Sequence, residues 1–289
     1  MMINWIKILL ELTKFKISLF STLSTFSGFI LARRGLSVDF IFPILGVFLL
    51  ASGACALNQY QERNHDPLME RTQSRPIPSK KMSPSTALKI SLGLLFFGSI
   101  LLYIGTPWSA VGLGLFAVFW YNGVYLFLKR KSAFAAIPGA LIGAIPPLIG
   151  WVSGKGFFSL DPQILAVSFF FFIWQVPHFW LLLLKGGKDF EKAGLPSLTR
   201  ILTAAQLSRM TFVWFLAAAA ACMMIPLFGI VESQTIHASL FLTAFWLMWR
   251  ASKLLTPNDR KFHLSLTFKA INSYAMVVMI LLALDHWFH

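Results

Sequence analysis

Apolar positions in this chain come in blocks rather than at the regular intervals of a water-soluble amphipathic fold. The blocks cover 17–32, 39–58, 87–106, 108–128, 134–152, 163–184, 210–231, 236–255 and 267–287. A helix needs roughly 20 apolar residues to cross the hydrocarbon core of a bilayer, so each block predicts one spanning helix. The fold expected is all-α: a polytopic bundle of about nine transmembrane helices around a central cavity. Residues 3–16, in which Trp5, Ile6, Leu9, Leu10 and Leu12 stand among lysines, predict an amphipathic helix at the membrane surface.

Helix breakers refine this picture. Pro67 disfavours helical geometry at Asp66, so the second spanning helix is expected to end about there. Pro146 and Pro147 in the fifth block and Pro177 in the sixth predict breaks or kinks, whose freed backbone groups need partners inside the bundle. The connections on one side of the membrane are short, and those on the other are long and polar. The two longest, roughly 59–86 and 185–209, hold Glu62, Asp66, Glu70, Asp189 and Glu191 and are separated by four spans. This spacing suggests one membrane domain, 1–289, made of two pseudo-repeats of roughly 1–130 and 131–289.

Composition agrees: of 289 residues, 57% are hydrophobic and only 12% charged, with a mean hydropathy of +0.70. The net charge of +14 is not the basic footprint of a nucleic-acid-binding protein. With the N-terminus inside, every Lys and Arg except Arg33, Arg34 and Lys155 falls on the inner side, as the positive-inside rule requires. The N-terminus and both acidic loops are therefore expected to be cytoplasmic and the C-terminus outside. No organellar transit segment is evident, which points to a bacterial plasma membrane. Cys55 and Cys222 both fall within spans and offer neither a disulfide framework nor metal-ligand spacing.

Candidate chemistry concentrates in NQYQERNHDPLMERTQSRP, residues 58–76. Asn58, Glu62 and Asp66 recur every four residues, and Arg71 and Arg75 follow at the same interval. Mg²⁺ prefers oxygen ligands, usually one or two carboxylates together with substrate phosphates and water. Arginine forks suit phosphate oxygens. The stripe thus reads either as a metal-diphosphate site or as the solvated end of a charged helix. In KGGKDFEKAGLPSLT, Asp189 and Glu191 are close but not helically stacked, and an ordinary solvated loop is the other reading. His178, in WQVPHFW, lies inside a span; it could ligate haem iron, bind a polar substrate edge, or bond a carbonyl freed by Pro177. No nucleophile–base pair, phosphate-cradling glycine loop or cysteine cluster appears, so the chemistry favoured is ionisation with electrostatic stabilisation.

The stretch from Asn58 through Glu62 and Asp66 to Arg71-Thr72 and Arg75-Pro76 resembles the first aspartate-rich motif of the UbiA-type intramembrane prenyltransferases. Further matches are LTKFK at 12–16, YLFLKRKS at 125–132, GALIGAIPPLIGW at 139–151, WQVPHFW at 174–180 and KDFEKAGLPSL at 188–198. Together they resemble the branch of that family that farnesylates haem. The resemblance implies Mg²⁺-dependent ionisation of farnesyl diphosphate and transfer of the farnesyl group to a vinyl group of haem B, with hydroxylation at that centre. It implies Asn58, Glu62 and Asp66 as the first metal site and Asp189, with Lys188 or Glu191, as a second acidic cap. Arg71, Arg75, Lys129 and Lys14 would clamp the diphosphate, and His178 would contact haem. Glu62 stands where the motif usually has Asp, and Phe15 where proline is common; neither change removes an essential group. Two rival readings are a relative of the same architecture acting on an aromatic quinone precursor, and a haem-binding or transport protein. The latter would have no need of an acid–arginine stripe at one face.

Overall fold

The apolar blocks fold as helices because a backbone in lipid must satisfy its own polar groups. In the computed structural model the described residues are 2–35, 37–256 and 260–285. A surface helix α1 (Met2–Leu12) leads into α2 (Phe15–Arg33), α3 (Ile41–Gln61) and α4 (Pro84–Gly105). Then follow α5 (Trp108–Lys131), α6 (Ala136–Lys155) and α7 (Pro162–Lys192). After the short α8 (Leu198–Ile201) come α9 (Ala204–Met224), α10 (Gln234–Ser252) and α11 (Arg260–Leu284). All nine expected blocks are helical over most of their described length; residues 286 and 287 of the last lie outside the described residues. Among the described residues, eight helices are long and apolar enough to cross a membrane; α10 is not counted with them, so the expectation of nine is approximate.

Three expectations need correction. Pro146, Pro147 and Pro177 sit inside helices that continue through them. Proline deletes one ladder bond but keeps a helical φ, and packing on both sides holds the rest. The only non-helical residue inside α7 is Gly186 (φ −137°, ψ 25°). The stretch expected to be a loop from residue 185 is helical as far as Lys192, which carries Asp189 and Glu191 on a helix end. Finally, α3 stops at Gln61, a turn earlier than expected; Asp66 nonetheless keeps its main-chain bond to the Glu62 carbonyl (2.9 Å).

α2 packs mainly on α6, α3 on α4, and α7 on α9 and α6. The α2–α6 crossing is close because glycines meet backbone there. A Cβ on Gly150 would lie 1.9 Å from the Thr25 carbonyl oxygen, and one on Gly28 would lie 2.0 Å from that of Pro147. Small residues at such crossings allow the van der Waals contact that drives helix association in lipid. The larger core joins α6, α7, α9, α10 and α11 around Trp174, Phe170 and Tyr274; a smaller one joins α3, α4, α5 and α6. Both long polar connections emerge at the same end of the bundle, where α3, α5 and α7 finish.

Candidate diphosphate site

Each acid of the first stripe meets a cation from elsewhere. Asp66, fully buried, accepts from Arg75 Nη1 at 2.9 Å on both carboxylate oxygens. Its main-chain carbonyl accepts from Thr72 Oγ1 at 2.7 Å, which folds the loop back over the stripe. Glu62 accepts from Lys129 Nζ of α5 at 2.5 Å. Burial alone would raise the Glu62 carboxyl, but Lys129, helped by Lys14 and Arg75, holds it below the usual range. Asn58 Oδ1 accepts from Lys14 Nζ (3.1 Å) and from the Tyr121 hydroxyl (3.3 Å), and Lys14 also donates to that hydroxyl (3.2 Å).

Lys14 reaches this place through an unusual backbone. It has φ 47°, a left-handed conformation uncommon for a residue with a Cβ, at the junction of α1 and α2. Gln59 holds the junction by donating to the carbonyls of Glu11 and Leu12 at 2.8 and 3.0 Å. Strain of this kind persists only where neighbours enforce it. Burial lowers the Lys14 ammonium to about 8.

The second acidic segment closes on the first. Asp189 Oδ2 accepts from the Arg71 main-chain N–H at 3.2 Å. Met69 packs with Ala193 and Leu195, and Lys192 pairs with Glu70 on the exposed rim. The Phe190 ring lies beneath both Arg71 (5.0 Å) and Lys129 (5.6 Å). Burial, followed by the neighbouring Arg75, lowers the Arg71 guanidinium. Glu191 turns away: its carboxylate accepts from Thr199 Oγ1 at 2.6 Å, inside its own segment.

Asn58, Glu62, Asp66, Arg71, Arg75, Lys129, Lys14 and Asp189 thus gather at one end of the bundle, whereas Glu191 does not join them. His178 lies apart, within α7, against Trp174 (5.2 Å), Phe268 (5.0 Å) and Phe179 (5.8 Å). Tyr121 and Tyr125 escaped the sequence reading. Their signal was present, since Tyr121, Tyr125 and Lys129 follow one another at four-residue steps. What it could not show is the π-helical turn at Trp120–Tyr125, a distortion frequent at functional sites. Asn122 anchors that turn by donating to Ala54 O and Gln61 Oε1, both at 3.0 Å.

The donors suit magnesium in kind, being oxygen only: two carboxylates and an amide on one stripe, and a third carboxylate, Asp189, bonded to the Arg71 main chain of the adjoining loop. Among the described residues no three His, Cys, Asp or Glu side chains form a ready-made cage. That also suits Mg²⁺, which is usually completed by substrate phosphate and water.

The sequence profile of the UbiA prenyltransferase family matches residues 21–272. A protoheme IX farnesyltransferase from Nitratidesulfovibrio vulgaris (strain DP4) is 33% identical over 272 residues, 93% of each chain. A structure of a digeranylgeranylglyceryl phosphate synthase superposes with a TM-score of 0.76 at 15% identity, covering 97% of this chain and 98% of that one. A UbiA homologue from Archaeoglobus fulgidus, bound to GPP and Mg²⁺, gives 0.67 at 13% identity over 94% and 99%.

Proposed function

The chain belongs to the UbiA prenyltransferase family and is a prenyl-transferring membrane enzyme; on that premise we propose that it farnesylates haem B to haem O. The observation that carries this reading is the meeting of acids and cations from both acidic segments at one end of a membrane bundle, with Arg75 on Asp66 and the Arg71 amide on Asp189. The name shared by the similar relatives supports haem as the acceptor and farnesyl as the group moved.

Asn58, Glu62, Asp66 and Asp189 would hold the magnesium, and Arg71, Arg75, Lys129 and Lys14 would bind the diphosphate oxygens. When bound, Mg²⁺ neutralises the diphosphate and makes it a competent leaving group. Arg75 and Lys129 stand at the site paired with Asp66 and Glu62, so binding of diphosphate and metal would exchange these pairs for contacts to the developing negative charge. Lys14 and Tyr121 hold the Asn58 amide with its oxygen fixed. Phe190 supports Arg71 and Lys129 from beneath. The membrane-embedded walls keep water from the allylic cation before the acceptor takes it. His178, enclosed by Trp174, Phe268 and Phe179, is the proposed haem contact. The asymmetry of Lys and Arg supports a diphosphate site on the cytoplasmic side of the membrane.

Purified protein incubated with Mg²⁺, farnesyl diphosphate and either haem B or 4-hydroxybenzoate tests the reading by product mass. A farnesylated, hydrated haem is expected. Product formed only from the benzoate rejects haem as the acceptor and leaves an aromatic prenyltransferase.

A further inference from the structure

Aromatic rings connect the diphosphate end with His178. Tyr121 and Tyr125 stack at 5.9 Å with planes 9° apart, and Tyr125 and Phe179 stack at 6.1 Å and 11°. Phe179 then meets the edge of His178 at 5.8 Å. Gly139 makes room for the ladder, since a Cβ there would fall 2.5 Å from the Tyr125 ring. The ladder starts at the Asn58–Lys14–Tyr121 triangle and crosses from α5 to α7.

Not every ring at this end is available to a substrate cation. Phe190 already carries Arg71 and Lys129, and Tyr121 carries Lys14 at 5.9 Å. Among the described residues, no cationic side chain sits over Tyr125 or Phe179, and both are half-buried. The face of an aromatic ring attracts positive charge, and more strongly where water is excluded. Phe179 thus touches both Tyr125, on the ladder from the diphosphate clamp, and its chain neighbour His178, the residue proposed to contact the acceptor. We propose that Phe179 is a further catalytic residue, its ring, backed by Tyr125, steadying the allylic cation on its way from diphosphate to haem. This rests on the farnesyl-transfer reading above.

The chemistry balances with water as the named co-reactant. The C1–O bond of farnesyl diphosphate breaks, both electrons leave with diphosphate, and positive charge spreads over C1 and C3. The vinyl π pair then bonds to C1, which moves the charge to the vinyl carbon beside the porphyrin. Water adds at that carbon and loses a proton, giving the alcohol. Water is needed at the second cation and wasteful at the first, where it would give farnesol. An aromatic face stabilises the first cation without offering it a lone pair.

Replacing Phe179 with mono-, di- and trifluorophenylalanine drains π density while nearly preserving shape. We expect kcat to fall with each fluorine, to about 10-fold at three. The KM for farnesyl diphosphate should stay level while the share of farnesyl lost as farnesol rises. Phe179→Leu should fall at least as far, and Phe179→Tyr should restore most of that loss. A rate and farnesol share that stay flat across the fluorine series overturn the proposal, whatever Phe179→Leu does to folding. Wild-type protein that makes no farnesylated haem removes the underlying reading and the proposal with it. Haem product together with a flat series removes the proposal alone.

Discussion

The main-chain N–H of Arg71 donates to Asp189 Oδ2 at 3.2 Å, joining residues 118 positions apart. Through this bond the first acidic loop and the end of α7 become one wall. Asp189→Ala leaves the Arg71 amide without its acceptor, costing about 1–3 kcal/mol. Asp189→Asn keeps an oxygen acceptor but loses the charge. We therefore expect Ala to lower both thermal stability and kcat/KM, and Asn to lower kcat/KM alone. Equal melting temperatures for the two variants would remove the structural part of this role.

Lys129 and Glu62 form a pair in which both side chains are largely buried. Breaking a buried pair from one side costs roughly 3–5 kcal/mol, because the other charge is stranded. Lys129→Met and Glu62→Gln should each destabilise the detergent-purified protein, and the double variant should lose less than the sum of the two. Melting curves of the four proteins give the coupling; strictly additive losses would show that the pair is not coupled.

Asp66→Asn should leave the protein inserted and helical, with a lowered melting temperature from the stranded Arg75, while reducing kcat/KM by well over about 100-fold, the upper end of what losing an outer-shell partner of a metal costs. The remaining activity should need more Mg²⁺ to reach its plateau. Full activity at the wild-type Mg²⁺ requirement would count against Asp66 as a ligand.

Chelation gives a complementary check. EDTA should abolish farnesyl transfer, and Mg²⁺ should restore it with the protein's helical circular dichroism unchanged throughout. The helices close their own backbone bonds and pack by side chains, so metal loss should cost chemistry and not fold. Loss of helicity on chelation would contradict this.

Gly150 meets the Thr25 carbonyl at the α2–α6 crossing. Gly150→Ala forces the two helices apart, an overpacking change worth about 1–3 kcal/mol. Gly93, whose added Cβ meets nothing within 4 Å, is the control position. Gly93→Ala should match wild type in a detergent melt; a Gly150→Ala variant equally stable would show that the close crossing is not required.

Much of this was legible in the linear sequence, and for one reason: in lipid, apolar length and backbone self-satisfaction leave little choice. The helical blocks, the acidic stripe of Asn58, Glu62 and Asp66, and the arginines that follow are all local patterns with a fixed period. The prolines misled because their local penalty was overridden by packing, whereas Gly186 marks the one irregular residue within α7. Which charge meets which was settled only in three dimensions. Lys129, on the helix that carries the π-helical turn, reaches Glu62 from 67 residues away, and Lys14, with its left-handed backbone, reaches Asn58 from 44. The ladder from Tyr121 to Phe179 likewise arises where the Tyr125 ring of α5 meets the Phe179 ring of α7. Composition fixes which segments become helices, but contacts between helices depend on their rotation and depth, and those follow from the whole bundle packing at once.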